Sequence, residues 1–212
     1  MIYALNDKNE KIDIEDSIRG EKYICPCCNG EVIQKKGNVN MWHYAHKNLG
    51  LCDEWYSENE WTKEFSEKFP QEFREVIVTG KDNRRRIAHI KVENLIIQLQ
   101  SKSMTSAEFQ EKVDFFSENS ALVWLVDLRG KDISKFIPKK KIKTEMFKWK
   151  HAWKFNDMKK FDNQQFDLFF QLDEDVFIKV VWNKEGFKIF GGYRYNSDRF
   201  MNFLRKKYRN TR

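Results

Sequence analysis

Cysteine and histidine are concentrated in residues 23–52, a segment that holds all four cysteines and two of the four histidines. Cys25 and Cys28 are separated by two residues and followed by Gly30, a spacing and a turn that allow two thiolates to bind one ion. Zinc in proteins takes four sulfur or nitrogen ligands in a tetrahedron. The segment therefore predicts a zinc site with the ligands Cys25, Cys28, His46 and Cys52, and with His43 as the alternate ligand.

Two other interpretations of this segment stay open. Cysteine is often simply buried, so one alternative is a metal-free loop packed around its thiols. A catalytic zinc is less favoured, because nothing in the segment resembles an open site of three ligands beside a carboxylate base. We therefore expect Zn²⁺ in a structural role, with Cys27 pointing away from the ion.

A second set of candidate residues is basic. The chain has 39 Lys and Arg against 32 Asp and Glu, and this net charge of +7 favours an anionic partner. Three arginines stand together at the start of a predicted strand, where guanidinium groups can bind phosphates, although a solvated surface turn is the alternative. The candidate nucleic-acid-binding residues are Arg84, Arg85, Arg86, Lys102, Lys139, Lys140 and Lys141.

Local patterns predict the elements that must position these residues. Two short strand-like runs, 2–5 and 11–14, flank a turn and predict an opening hairpin. Ser57 with Glu60 predicts a helix over about 57–68, and Thr105 with Glu108 predicts the start of a second helix. Helix, three strands, helix and strand in this order predict an α/β core with a mixed sheet. The strands of this core are expected at 73–78, 85–92, 95–100 and 121–126.

The remainder of the chain predicts a carboxy-terminal β-hairpin plus helix. Strand-like runs at 166–172, 176–182 and 187–190 precede Gly191 and Gly192, and Ser197 is the predicted cap of a closing helix. The aromatic residues of this region are mostly expected in the core, with stacking on unpaired bases as the alternative.

Composition excludes several classes of protein. Hydrophobic residues make up 41% of the chain and aromatic residues 15%, too much for a disordered protein. The longest apolar run, 121–126, is far shorter than a membrane-spanning helix, and the first residues turn polar before a signal-peptide core can form. Clustered cysteines with metal-ligand spacing also fit a reducing compartment. We expect a cytoplasmic protein with no membrane partner and leave its oligomeric state open.

Three motifs together resemble the bacterial competence protein CoiA-like family, which typically has CPxC, then HFAHK, then a CD-W segment and EWH. The corresponding segments here are Tyr23-Ile24-Cys25-Pro26-Cys27-Cys28, Met41-Trp42-His43-Tyr44-Ala45-His46-Lys47 and Cys52-Asp53-Glu54-Trp55 followed by Glu60-Trp61. The resemblance continues to about residue 128. It implies three domains. An amino-terminal hairpin and zinc-ribbon-like module at 1–56 is followed by a PD-(D/E)XK, restriction-endonuclease-like core at 57–128 and by a basic, aromatic region at 129–212.

The resemblance also implies a nuclease site, in which two acidic positions are neutral in this chain. Family enzymes hold a divalent metal with a helix Glu, an Asp on the second strand and a Glu on the third, and a Lys or Gln two residues further helps to place the attacking water. Glu60 and Gln100 match this pattern, whereas His89 stands in the Asp position and Gln98 in the Glu position. Because carboxylates offset the dehydration of Mg²⁺, the resemblance implies a degenerate site.

These observations favour a nucleic-acid-binding protein that does not cleave its ligand. DNA is the expected partner, and the family's association with competence makes single-stranded DNA one option. The first alternative is an active endonuclease that uses Mg²⁺ or Mn²⁺, since imidazole is an acceptable ligand for Mn²⁺. The second is a pseudo-enzyme that binds a protein partner in a bacterial or phage conflict system.

Overall fold

A computed structural model describes residues 1–48, 59–118, 120–136, 143–149, 166–184 and 187–209 of the chain. The chain divides into two compact units, Met1–Lys91 and Val92–Arg212. The fold is mixed α/β, as the sequence predicts. The division into three domains and the nuclease-like identity of the central elements stay predictions.

The first unit opens with a five-stranded antiparallel sheet. Its strands are β1 (Tyr3–Leu5), β2 (Lys11–Asp13), β3 (Tyr23–Ile24), β4 (Glu31–Lys35) and β5 (His43–His46), in the order β2-β1-β3-β4-β5. The Asn6 side chain accepts hydrogen bonds from the backbone N–H groups of Lys8 and Glu10 at 3.0 and 2.9 Å, which closes the predicted β1–β2 hairpin. Buried side chains from β1, β3, β4, β5 and the intervening turns, including Ile14, Tyr23 and Tyr44, pack into one core, and the partly buried Ile12 of β2 packs against it.

Helix α1 (Glu60–Ser66) follows in the first unit and begins later than its sequence pattern indicates. Ser57 lies outside the described residues, and the N-cap is Asn59, whose side chain accepts a hydrogen bond from the N–H of Thr62 at 2.9 Å. The reciprocal bond, from the N–H of Asn59 to the Thr62 hydroxyl, completes the capping box. A 3₁₀ turn (Gln71–Phe73) leads from this helix into the antiparallel pair β6 (Arg74–Thr79) and β7 (Arg85–Val92).

The second unit is built around a parallel β-α-β arrangement. Strand β8 (Leu95–Gln100) pairs in parallel with β9 (Ala121–Asp127), and helix α2 (Ser106–Ser117) connects them. Thr105 caps this helix as predicted, with its hydroxyl accepting from the N–H of Glu108 at 3.2 Å. Every residue of β8 is buried, as expected for a strand inside a parallel sheet.

The carboxy-terminal strands continue this mixed sheet. Strand β12 (Phe166–Asp173) pairs in parallel with β9, and β13 (Val176–Lys184) and β14 (Ile189–Tyr195) extend it in antiparallel fashion. The sequence analysis did not predict β10 (Ile133–Phe136) and β11 (Glu145–Trp149); β11 pairs with β14, and β10 pairs with β11. Helix α3 (Ser197–Arg209) closes the unit.

The two glycines after residue 190 do not end a strand, contrary to the sequence prediction. Gly191 and Gly192 lie inside β14, opposite Trp182 and Val180 of β13. A side-chain carbon at Gly192 would collide with the backbone carbonyl of Lys179, so glycine here permits a close approach of two strands. The glycine pair therefore allows β13 and β14 to pack closely and does not mark the end of a strand.

Candidate metal centre and other predicted site residues

Three predicted zinc ligands lie together in the first unit. The Sγ atoms of Cys25 and Cys28 and a ring nitrogen of His46 are all within 4.8 Å of one another. The Sγ of Cys28 lies 3.3 Å from Nε2 of His46. A tetrahedral zinc ion with Zn–S bonds of ~2.3 Å keeps its donor atoms about 3.5–4 Å apart. The three donors are therefore at separations that fit one zinc ion.

A tight turn after β3 brings the two cysteines together. The N–H of Cys25 donates to the carbonyl of Gly30 at 2.8 Å, and the N–H of Asn29 donates to the carbonyl of Cys25 at 2.9 Å. Asn29 adopts a positive φ of 60°, a conformation that asparagine tolerates well. The N–H groups of Cys27 and Gly30 point at the sulfurs of Cys25 and Cys28, at 3.3 and 3.4 Å. Such N–H···S contacts orient the two sulfurs around one position.

His46 reaches the two cysteines from strand β5. Its register partner is Val32 of β4, so its side chain lies on the same face of the sheet as the buried side chains of Val32 and Tyr44. Burial lowers the pKa of the His46 imidazole, and the positive amino group of Met1 lowers it further. A neutral imidazole is the form that binds zinc.

The other two candidate ligands are placed differently. His43 starts β5 opposite Lys35, and its Nδ1 donates to the carbonyl of Met41 at 2.8 Å. It does not join the Cys25, Cys28 and His46 cluster. Cys52 lies outside the described residues.

The cluster lies among residues of the core of the first unit. Cys25 is fully buried, and its thiol lies 3.6 Å from the Sδ atom of Met1. Cys27 is also in the core, where its thiol faces the carbonyl of Arg85 at 3.6 Å. Among the described residues the cluster includes no carboxylate that would act as a base. Two thiolates and one imidazole are typical donors for a structural zinc, so the residues present fit the ion.

The four candidate catalytic residues are divided between the two units. Glu60 is the exposed first residue of α1, and His89 is a buried residue of β7, 5% exposed, both in the first unit. Gln98 and Gln100 are buried on β8 in the second unit, where they share one face by alternation. Gln100 donates from Nε2 to the carbonyl of Lys102 at 2.7 Å.

The candidate phosphate-binding residues also differ in their surroundings. Arg84 forms an ion pair with Asp82, and Arg85 is exposed and donates from Nη2 to the carbonyl of Pro26 at 2.8 Å. Arg86 is half-buried, and Lys102 is exposed in the second unit. The remaining three candidates, Lys139, Lys140 and Lys141, lie outside the described residues.

The sequence analysis missed a cleft at the turn between β4 and β5. Arg19, Lys35, Lys36 and Trp42 are among the residues that line it. One signal in the sequence could have indicated this cleft. Trp42 follows the polar run 35–40, which contains Lys, Gly and Asn, and a tryptophan of the core is not usually preceded by such a run.

No helix among the described residues is long and apolar enough to cross a membrane. Comparison with known families matches residues 6–54 to the N-terminal domain of competence protein CoiA. The matched segment contains Cys25, Cys28, His46 and Cys52, and it confirms the predicted CoiA-like resemblance. Searches among curated proteins and among solved structures found no match.

Proposed function

We propose that this chain, whose residues 6–54 form a CoiA-like, competence-related amino-terminal domain, binds nucleic acid, holds one structural zinc ion and does not cleave its ligand with Mg²⁺. The observation that carries the zinc assignment is the cluster of Cys25, Cys28 and His46. Zinc bound there would link the turn after β3 to β5. It would thereby stabilise a small sheet whose strands are only two to five residues long.

The basic turn between β6 and β7 supports binding to phosphates. Arg84 and Arg85 are exposed at the start of β7, in a chain of net charge +7. A hydrogen bond from the N–H of Gly80 to the carbonyl of Arg84, at 2.9 Å, closes the turn that precedes them. Guanidinium groups bind phosphates without regard to base sequence.

Removing the three arginines is expected to weaken DNA binding and to reduce its salt dependence. Each phosphate contact releases about 0.7–0.9 counterions, so Arg84→Ala, Arg85→Ala and Arg86→Ala together should reduce the slope of log K against log salt by about 2–3. Fluorescence anisotropy with labelled DNA between low and moderate salt measures this slope.

A variant with the same loss of charge serves as the control. Lys8, Lys22 and Lys68 are exposed lysines of the same unit, and their replacement by alanine also removes three positive charges. If the control reduces the slope as much as the arginine variant does, only net charge matters and the assignment to this turn is wrong. If the wild-type protein binds neither DNA nor RNA at low salt, the proposed binding function is wrong.

The neutral residues at positions 89 and 98 support the absence of cleavage. Mg²⁺ is a hard ion that prefers oxygen ligands, and imidazole is a poor substitute for a carboxylate. We expect no Mg²⁺-dependent cutting of single- or double-stranded DNA by the unmodified, zinc-loaded protein, as measured on gels over several hours. Mg²⁺-dependent cleavage that disappears in Glu60→Ala would contradict this part of the proposal and favour an active nuclease.

A further inference from the structure

A cleft of about 890 Å³ opens at the turn between β4 and β5 in the first unit. Ten residues line it, of which three are Lys or Arg, three are Asn or Gln and none is acidic. Such a volume is within the range of ligand pockets, about 300–1,000 Å³. The absence of carboxylates among the lining residues means that the cleft favours an anion.

Trp42 presents a fixed aromatic surface in this cleft. Its side chain is 42% exposed, although tryptophan is usually well buried. The indole Nε1 donates to the carbonyl of Gly37 at 3.1 Å, which restrains the orientation of the ring. The Nζ of Lys36 lies 5.1 Å from the ring centroid, close enough for a cation–π contact. An exposed ring restrained in this way is suited to stacking.

Three positively charged side chains surround the ring of Trp42. Lys36 donates to the carbonyls of Ser17 and Glu15 at 2.8 and 3.3 Å, so its ammonium group is held at one position. Arg19 and Lys35 are both exposed, and neither forms an ion pair with the residues that the structure describes. These two cations are therefore available for an anionic ligand.

We propose that the cleft binds an unpaired nucleotide of single-stranded nucleic acid, with the base stacked on Trp42 and the adjacent phosphates beside Arg19 and Lys35. Stacking on an aromatic side chain suits every base, and side-chain amides such as that of exposed Asn38 can contact base edges. A duplex would not enter in this way, because its bases are already stacked and paired. An acidic peptide would use the cations but would have no need of the exposed indole face. This inference rests on the proposed nucleic-acid binding, and it assigns the binding of single strands to this cleft.

The decisive experiment compares variants of the full, zinc-loaded chain by fluorescence anisotropy. The probes are a labelled oligothymidylate of about 16 nucleotides, near the upper site size of a single-strand-binding fold, and a duplex of equal length. Trp42→Ala should weaken oligothymidylate binding about tenfold and leave duplex binding unchanged. Trp42→Phe should retain most of the affinity, since a phenyl ring still stacks. Tyr193→Ala, which removes an aromatic side chain that is 45% exposed in the second unit, is the matched control and should have no effect.

A second variant tests the phosphate contacts independently. Arg19→Ala with Lys35→Ala should reduce the slope of log K against log salt for the oligothymidylate by about 1–2. Both residues are exposed, so the fold should be retained, and an unchanged thermal melting curve verifies this. An oligouridylate probe compares RNA with DNA. A loss of affinity in Trp42→Ala for either the DNA or the RNA oligonucleotide supports the inference.

The possible results are distinguishable. If Trp42→Ala binds oligothymidylate as the wild type does, the inference is wrong while the proposed binding function stands. An equal loss for the duplex would also overturn it, because stacking on an unpaired base does not affect a duplex. Displacement of the probe by polyglutamate, with the same dependence on Trp42, would instead assign the cleft to an acidic peptide. A wild-type protein that binds no nucleic acid would overturn the proposed function and this inference together.

Discussion

Replacement of Cys25 and Cys28 by serine is expected to abolish zinc binding and to unfold the amino-terminal sheet. Both sulfurs belong to the three-ligand cluster, and Cys25 also lies in the core of the first unit. Structural zinc in small peptides contributes about 10–16 kcal/mol of apparent binding free energy, which is comparable to the whole stability of a typical domain, about 5–15 kcal/mol. We expect rapid proteolysis within residues 1–48 and a zinc content close to zero, measured by mass spectrometry of fragments and by metal analysis.

Cys27→Ser is the matched control for this prediction. It makes the same chemical change two residues from Cys25, but the thiol of Cys27 faces the carbonyl of Arg85 and does not belong to the cluster. This variant should retain one zinc ion per chain and lose only about 1–2 kcal/mol of stability. Chelation of zinc from the wild-type protein should reproduce the behaviour of the double variant. A double variant as resistant to proteolysis as the wild type would contradict the structural zinc assignment.

Glu75→Gln is expected to destabilise the first unit strongly, although it conserves the size of the side chain. Glu75 is 6% exposed, and its two carboxylate oxygens accept hydrogen bonds from the N–H groups of Ile2 and Tyr3, at 2.6 and 3.1 Å. A glutamine has only one acceptor oxygen, so its NH₂ group would face a backbone donor in a buried position. The surroundings are poorly solvated, since burial raises the pKa of the Tyr3 hydroxyl to about 12.

We expect Glu75→Gln to lower the free energy of unfolding by about 3 kcal/mol, because hydrogen bonds to a charged acceptor contribute ~1.5–3 kcal/mol each. Urea denaturation followed by circular dichroism measures the change. Glu72→Gln, the same substitution at an exposed position three residues earlier, should change stability by less than about 0.5 kcal/mol. Equal effects of the two substitutions would show that Glu75 does not anchor the first strand.

Features that depend on neighbouring residues could be predicted from the sequence. The cap of α2 is one example, since the Thr105 hydroxyl and the Glu108 N–H are only three residues apart. The strands β7 and β8 have the predicted bounds, because turn-forming residues precede β7 and separate it from β8. The Cys25 and Cys28 pair is equally local, since one tight turn brings the two sulfurs to one place.

Features that depend on strand register could not be predicted in this way. The sequence favours His46 as a ligand but keeps His43 as the alternate, since both lie on β5, and only the pairing of β5 with β4 decides that His46 reaches the cysteines. The sequence places Gly191 and Gly192 after a strand and not inside one, because a close approach to a neighbouring strand leaves no local signal. The role of Glu75 depends on the backbone of β1, more than 70 residues earlier in the chain.

The sequence by itself determined the chemistry available to this protein: thiol and imidazole donors for a metal and guanidinium groups for phosphates. Residue types and short spacings carry that information. The tertiary structure alone decided which of these groups meet, and it placed Trp42 and Arg19 together in a basic cleft although they are 23 residues apart. The physical reason is that contacts between distant residues follow from strand pairing and core packing, and these depend on the whole set of buried side chains at once.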